Sequence, residues 1–550
     1  MPRPSEAVTA TPPGEQSAWR RRWLPALLTA LLAFVLIEAH ARQEHPQGGF
    51  ALGSLPGFDA YVYAAMAERP GVFTVAPWGY RILTPTLAHA LSPSRPLRAF
   101  RWITVIALTA AALLLYAFAR RAGFRSLAAL VGMAAFCLSS PVGAALASPF
   151  SGDGLAVGLE TAVLLGAAAG ASLPWLLPLM ALGLLTKDLF VLFVPLAYVP
   201  LRRRLGRGSA ATATFGLVLA AIGLSYALRA YWTPQIHTPH PILGRQLLLD
   251  FLDDLRASGG RPLAAALLGG VAPLALLGAL RRAARPFLMR YGYLVALTLA
   301  LPFLAWLNVP AARVFGFFGD VPRLHIYALP LLIPLALFAL DRIWPAFDGA
   351  PSSALPQAVP SLANWTLVAG SVLIVAFPFL AVDTYLRYPL HDRREGVQVF
   401  QTCRASLRVA ERLAHGDTVE LTSHVTGTDL ADDLARRRWY LMEGWPDPAV
   451  FGAGAFVLKD TLGVVLVPCL APQSLTISAR VHVPRATTIE AAINGQPLAA
   501  AALEEGPGTA QWSVPADALF RGDNVLRFRI RDGGPVFFDS LSLSAAGSVR

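Results

Sequence analysis

Residues 173–204 read LPWLLPLMALGLLTKDLFVLFVPLAYVPLRRR, an apolar stretch broken in its middle by Lys187 and Asp188 and closed by Arg202, Arg203 and Arg204. As one continuous helix it would put both charged residues near mid-membrane, at about 2.5–3.5 kcal/mol each on insertion scales. It would also send three arginines to the wrong side of a bilayer, because arginine clusters mark the cytoplasmic ends of membrane helices. As two short helices meeting at Thr186–Asp188, it returns the arginines to the inside and lifts the charged tip towards the outer face. Each half is then about 18 Å long at 1.5 Å per residue, so the tip is expected in a wet, protein-lined recess.

The composition makes a membrane the right frame. The chain has 550 residues, 55% of them hydrophobic and only 15% charged, with a mean hydropathy of +0.51. Such values lie outside the soluble range. The net charge of +12 comes from arginines grouped between apolar runs, which orients helices and argues against nucleic acid as a partner. Cys137 falls in an apolar run, whereas Cys403 and Cys469 fall in the polar C-terminal third, where they either pair or stay as thiols.

The remaining topology follows from the same arginine rule. Arg20–Arg22 precede a first run, 24–39, so 1–22 is expected as a cytoplasmic tail and 40–100 as a long outer loop holding amphipathic helices on the membrane. AHA at 39–41 looks like a signal-peptidase site, but the region before it is long for a signal peptide, so the span is expected to be retained. Runs at 101–119 and 127–147 flank RRAGFR (120–125), and another covers 155–172. RRAAR (281–285) separates runs at 263–280 and 287–307, and further runs lie at 325–343 and 365–382. The expectation is a polytopic α-helical membrane domain over 23–382 with roughly eleven helices. A linker with a helical stretch is expected at 383–437, and an extracytoplasmic all-β sandwich of jelly-roll type at 438–550. The sandwich is read from GVVLVPCL, LTISARVHV, TTIEAAI, NVLRFRIRD and VFFDSLSLSA, separated by NGQP, RGDN and DGGP.

No Walker lysine loop, HExxH motif or strand-following glycine-rich loop occurs, which removes the simplest support for ATP-driven transport and common metallohydrolases. The polar residues that topology puts on one side are Asp59, Tyr80 and Arg81, Asp153 in SGDG, Lys187 with Asp188, and Asp320 with Arg323 in GDVPRLHIYALP. Each also has a plain structural reading. Asp59 suits a solvated loop or a helix cap, Asp153 a turn, Lys187–Asp188 a mutual pair, and the arginines headgroup anchors. Glu38 and His40, at the end of the first span, read as interfacial.

Taken together, DAYVY (59–63), PWGYRILTP (77–85), the TKD-tipped hairpin and the late arginine resemble the GT-C superfamily of membrane glycosyltransferases, over about residues 20–345. The likeness is to bacterial members that build cell-surface glycopolymers. It implies an inverting transferase that takes a sugar from a polyprenyl-phosphate donor and passes it to a glycan or glycolipid acceptor. The enzyme would sit in the bacterial inner membrane among lipids, with its C-terminal domain in the periplasm. It also implies that Asp59 is the general base, with Asp153 as the second acid, supported by Tyr80, Asp188 and Asp320. Arg81, Lys187 and Arg323 then hold the donor phosphate. Some members use a divalent cation and others none, so the metal is left open, with no other cofactor expected. MEGWPDP (442–448), VPADALFRGDNVLRFRI (514–530) and FFDSLSLSA (537–545) resemble carbohydrate-binding modules, which makes Trp439 and Trp445 candidates for glycan stacking, with Tyr440 and Trp512 behind them. A carrier or flippase of lipid-linked saccharides, or a non-catalytic glycan-binding scaffold, are the alternatives.

Overall fold

The computed structural model describes residues 13–44, 58–68, 81–93, 95–231, 270–308, 324–340, 408–421, 456–458, 462–531 and 535–545. These form an N-terminal helical bundle and a C-terminal β-sandwich.

The hairpin breaks where the charges predict. Helix α8 (Leu173–Thr186) ends at Lys187, whose backbone is extended at φ −152 and ψ 133. The chain resumes as a 3-10 segment, Asp188–Ala197, and finishes as α9 (Tyr198–Leu205), which carries Arg202, Arg203 and Arg204 in its last turn. A Cβ at Gly183 would collide with the Phe190 ring, so the returning arm lies against α8 because position 183 has no side chain. The arms are not the equal pair expected. The 10-residue 3-10 segment rises about 2 Å per residue, giving about 20 Å before α9 adds its own length.

The other helices are α1 (Pro13–Glu44), α2 (Phe58–Glu68), α3 (Leu83–Leu91), α4 (Pro96–Arg121), α5 (Ser126–Cys137), α6 (Ser140–Ala147), α7 (Asp153–Ala169) and α10 (Arg207–Tyr231). After these come α11 (Ala272–Ala279), α12 (Arg285–Asn308), a 3-10 turn at His325–Tyr327 and α13 (Leu329–Leu340). Helices α4 and α7 run parallel at close range. Thr104 of α4 meets Gly154 of α7, and the Ala107 carbonyl meets Gly158, where a Cβ would come within 3.1 Å. Small residues at such crossings let backbones approach where apolar surroundings give no other drive. Large apolar side chains stay on the outside, including Leu24, Leu28 and Leu31 of α1, Trp175 of α8, Phe215 and Leu219 of α10, and Leu276 and Leu280 near α11.

Among the described residues, Leu24–Glu44, Pro96–Arg121 and Arg207–Ser225 are long and apolar enough to cross a membrane, and α5 with α6, bent by 43°, makes a fourth if counted as one span. Roughly eleven were expected. The run at 127–147 is kinked because Pro141, in the first turn of α6, cannot continue the hydrogen-bond ladder of α5. Helices α8 and α13, of 14 and 12 residues, fall short of the roughly 20 that a straight span needs. The run expected at 365–382 and the first part of that at 263–280, residues 263–269, lie outside the described residues.

Helix α2 corrects a second expectation. Val62–Ala67 are all buried, so this helix does not lie on a surface with one wet face. It packs with α3, Phe100, Ile103 and Phe150, and Leu470 of the β-domain reaches the same cluster.

The sandwich is two five-stranded antiparallel sheets. Its strands are β1 (Val419–Glu420), β2 (Phe456–Leu458), β3 (Leu462–Cys469), β4 (Leu475–Val483), β5 (Thr487–Ile493), β6 (Gln496–Pro497), β7 (Ala501–Leu503), β8 (Gly506–Val514), β9 (Gly522–Ile530) and β10 (Val536–Ala545). One sheet has the order β1-β10-β4-β8 with β2 also on β10; the other has β3-β9-β5-β6 with β7 also on β5. Because Val419 pairs with Leu543 and Leu413 joins the core, the sandwich reaches back into the segment expected as linker. Strict alternation of buried and partly exposed residues in β5 gives one face to this core.

The RGDN turn (521–524) has a structural explanation. Asn524 is fully buried; its Nδ2 donates to the carbonyls of Val467 at 3.1 Å and Phe520 at 3.0 Å, and its Oδ1 accepts from Asn494 Nδ2 at 2.8 Å. Asn494 takes the left-handed conformation (φ 50) that an Asn-Gly hairpin turn requires, and its Oδ1 accepts the Val525 N–H at 2.9 Å. Trp512 is 1% exposed and packs 5.1 Å from Phe528, so it belongs to the core and stacks on no sugar.

Candidate functional site

Asp153 opens α7 directly after Gly152, which caps the helix in the left-handed conformation (φ 72). An acid in the first turn suits the positive end of a helix dipole. The Asp153 side chain is 0% exposed, and Lys187 Nζ, on a side chain 5% exposed, lies 2.9 Å from its Oδ1. Tyr327 donates its hydroxyl to Oδ1 at 2.5 Å, and Ser151 Oγ donates to Oδ2 at 2.6 Å. Three separate stretches therefore meet at one carboxylate: the Pro149–Ser151 turn running into SGDG, the hairpin tip, and the 3-10 turn at His325–Tyr327. Lys187 is ion-paired with Asp153, across the bundle.

The first outer segment reaches the same place. A Cβ on Gly152 would touch Thr84 Oγ1 at 2.7 Å and Thr186 Cγ2 at 3.4 Å, so the first turn of α3 sits against both the SGDG turn and the hairpin tip. Arg81 precedes Thr84 by one turn and donates from Nη1 to the Tyr63 hydroxyl at 3.3 Å. That bond joins PWGYRILTP to DAYVY. Tyr63 is 1% exposed, and Asp59 occupies the position four residues earlier on α2, which puts both on one helix face. The side chains of Asp59 and Asp188 lie outside what is described, as do Tyr80, Asp320, Arg323, Trp439, Tyr440, Trp445 and Cys403.

Glu38 and His40 are more than interfacial. Glu38 Oε1 accepts from Arg101 Nη2 at 2.8 Å and from Arg42 Nε at 3.1 Å. The His40 ring, through Nδ1, lies 2.9 Å from the Cys137 carbonyl. These contacts tie α1 to α4 and α5. Glu160 went unnoticed in the sequence. It is fully buried in α7, and neither carboxylate oxygen has a hydrogen-bond partner. The signal was there to be read: one acid inside DGLAVGLETAVLLGAAA, two turns after Asp153 on the same face. Tyr327 and Ser151 carried no such signal, because a tyrosine beside a proline-rich span and a serine beside a glycine are common everywhere.

What the arrangement offers chemically is a buried acid–lysine pair with a second cation, Arg81, held by Tyr63 near the same end of the bundle. Lys187 and Arg81 present an ammonium and a guanidinium near one end of the bundle, both anchored by oxygen acceptors. Groups so held match the oxygens of a phosphate. Among the described residues no cluster of three or more His, Cys, Asp or Glu side chains has the arrangement of a metal site. The chain matches no protein-family model and none of the curated proteins.

Proposed function

We propose that the chain is a polytopic inner-membrane glycosyltransferase of GT-C type that moves a sugar from a polyprenyl phosphate to a cell-surface glycan or glycolipid. The observation that carries this proposal is the convergence of DAYVY, PWGYRILTP, SGDG and TKD at one end of the bundle, through Tyr63–Arg81, Thr84–Gly152 and Asp153–Lys187. The opposite end carries Arg203 and Arg290 at the close of α7, with Arg120 and Arg121 in the last turn of α4, and this cluster fits a cytoplasmic face there. The exposed leucines of α1 and α10 fit contact with lipid.

In this mechanism the Asp59 carboxylate takes the proton from an acceptor hydroxyl. The oxygen attacks the anomeric carbon from the face opposite the lipid phosphate, the carbon–oxygen bond to that phosphate breaks, and the polyprenyl phosphate leaves with the electron pair. Configuration inverts. Arg81, Lys187 and Arg323 stabilise charge on the departing phosphate. Asp153, whose oxygens already accept from Lys187, Tyr327 and Ser151, serves as a positioning residue that acts through Lys187. We assign Tyr80, Asp188 and Asp320 supporting roles and Trp439 and Trp445 the holding of the growing glycan; were a divalent cation used, the carboxylates of Asp188 and Asp320 would hold it and it would offset charge on the donor phosphate.

The test is purified protein with a panel of polyprenyl-phosphate sugars, comparing wild type with Asp59→Asn. Transfer should fall by at least about 100-fold, the lower end of what a positioned base contributes. Unchanged transfer would remove Asp59 from the reaction. A second reading, proton-coupled movement of an intact lipid-linked sugar, is favoured by Glu160, since an unpaired acid inside a membrane helix commonly marks an ion path. Translocation without bond cleavage, abolished by Glu160→Gln, would establish it instead.

A further inference from the structure

At the end of the bundle away from Asp153, α7 closes with Gly170 in the left-handed conformation (φ 76), its N–H donating to Ala167 O at 3.2 Å while Ala171 N–H donates to Gly166 O at 2.8 Å. This is a Schellman cap. Two arginines from distant helices add to it. Arg290 of α12 donates from Nη2 to Ala167 O at 2.8 Å, and Arg203 of α9 donates from Nη1 to Gly170 O at 3.4 Å. Both sit where the helix dipole is negative. A Cβ at position 170 would overlap the Arg203 guanidinium, so the approach requires glycine.

The capping leaves donors over. Arg290 Nη1 is buried without a hydrogen-bond partner, and so are the hydroxyls of Tyr291 and Tyr293. The Arg290 guanidinium lies 5.2 Å from the Tyr291 ring centroid. Tyr291 itself is 3% exposed, held edge-on to Phe118 at 5.6 Å and against Phe287 at 5.0 Å. Arg121 and Arg203 are close enough to repel Arg290. Among the described residues, none of these three cations is ion-paired, and the segments that build this end, 119–127, 201–208 and 279–290, contain no acidic residue.

Like charges gathered around a half-buried guanidinium with a spare donor call for an anion. We infer that Arg290, with Arg203 and Arg121 beside it, binds a phosphate group at the end of the bundle where α7 closes. A phosphate fits better than a carboxylate, because its oxygens spread in three dimensions and can accept from Arg290 Nη1 and a second guanidinium in a different plane. The phosphate belongs either to an anionic phospholipid headgroup or to a soluble phosphate. The inference does not depend on the transferase proposal, since it uses none of the residues near Asp153.

Native mass spectrometry of the full chain in detergent tests it, with phosphatidylglycerol, diacylglycerol and inorganic phosphate titrated separately. A lipid site binds phosphatidylglycerol in fixed stoichiometry and at least tenfold more tightly than diacylglycerol; a soluble-phosphate site retains inorganic phosphate alone. In either case Arg290→Gln weakens binding at least tenfold, while Arg285→Gln, an exposed arginine at the same end, changes it less than twofold. Should Arg290→Gln fail to fold, Arg203→Gln and Arg121→Gln, both exposed, are each expected to weaken binding at least threefold. Equal losses from Arg285→Gln and the test variants would mean diffuse charge and overturn the inference, as would binding of neither phosphate.

Discussion

The ion pair between Lys187 and Asp153 offers the sharpest quantitative test, because both side chains are essentially out of solvent, at 5% and 0% exposure, and only 2.9 Å apart. At an effective dielectric constant of about 20 the attraction amounts to about 6 kcal/mol, and desolvation offsets much of it. Removing one member strands the other, which typically costs about 3–5 kcal/mol. Lys187→Met is expected near the lower limit, since the Asp153 carboxylate keeps the Tyr327 and Ser151 donors. Asp153→Asn is expected near the upper limit, because it leaves a buried ammonium. The double variant Asp153→Asn/Lys187→Met removes both charges and keeps a side chain whose Oδ1 accepts from Tyr327 and whose Nδ2 can donate to Ser151 Oγ, so it should be more stable than either single variant. The coupling should be at least about 2 kcal/mol, in the range found for contacting charges. Reversible unfolding of the purified chain in mixed micelles with rising dodecyl sulfate fraction measures all four proteins. Additivity of the two single losses to within about 0.5 kcal/mol would refute the pairing.

Three further outcomes are expected. Tyr63→Phe should lower kcat/KM for sugar transfer by about tenfold and Arg81→Gln by more, because the tyrosine orients the guanidinium and does not itself bear the charge; equal losses in a transfer assay would mean that Tyr63 has a role of its own. Asn524→Ala should destabilise the sandwich by about 2–4 kcal/mol through the carbonyls and the Asn494 amide it strands, and this should appear as faster limited proteolysis within residues 462–531. Gly278→Ala should cost about 1–3 kcal/mol or more, since its Cβ would overlap the Leu335 carbonyl and force α11 away from α13; thermal inactivation in detergent should occur at a clearly lower temperature.

The features legible in the sequence were those fixed by short-range chemistry. Lys187 breaks the hairpin because a charge inside an apolar run has few other places to go, and five strands were visible because residues such as those of TTIEAAI alternate with period two between turn formers. Strand β8, GPGTAQWSV, was missed because Gly506, Pro507 and Gly508 read as a loop, while its pairing with β4 from Leu475 to Val483 supplies the order that local propensity lacks. The two halves of the candidate site were each visible, but the bond between them was not. Nothing in the spacing of Asp153 and Lys187, or of Tyr63 and Arg81, says that they touch, since that depends on how α2, α3, α7 and α8 pack. Glu160 was legible and passed over, because a lone acid in an alanine-rich helix is easily absorbed into a count of apolar residues.

A buried ion pair is a poor device for stability alone, since an apolar pair of similar volume commonly serves as well. The presence of Asp153 and Lys187 at the end of the bundle that also holds Arg81 therefore needs a reason in binding. On the proposed function, a polyprenyl phosphate entering beside them would bring an anion that competes with Asp153 for the same ammonium, and the exchange would give Lys187 a role that begins only when donor is bound. Stability and activity then separate in the double variant. If the pair served only to hold the fold, Asp153→Asn/Lys187→Met would be close to wild type in both stability and sugar transfer. If Lys187 is handed from carboxylate to phosphate, the same protein unfolds like a sound bundle yet transfers sugar at least about 100-fold more slowly, a loss within what one positioned charge contributes to a departing anion. Restoring the charge alone, as Asp153→Asn with Lys187 intact, should recover part of that rate while lowering stability, an outcome that a purely structural pair cannot produce.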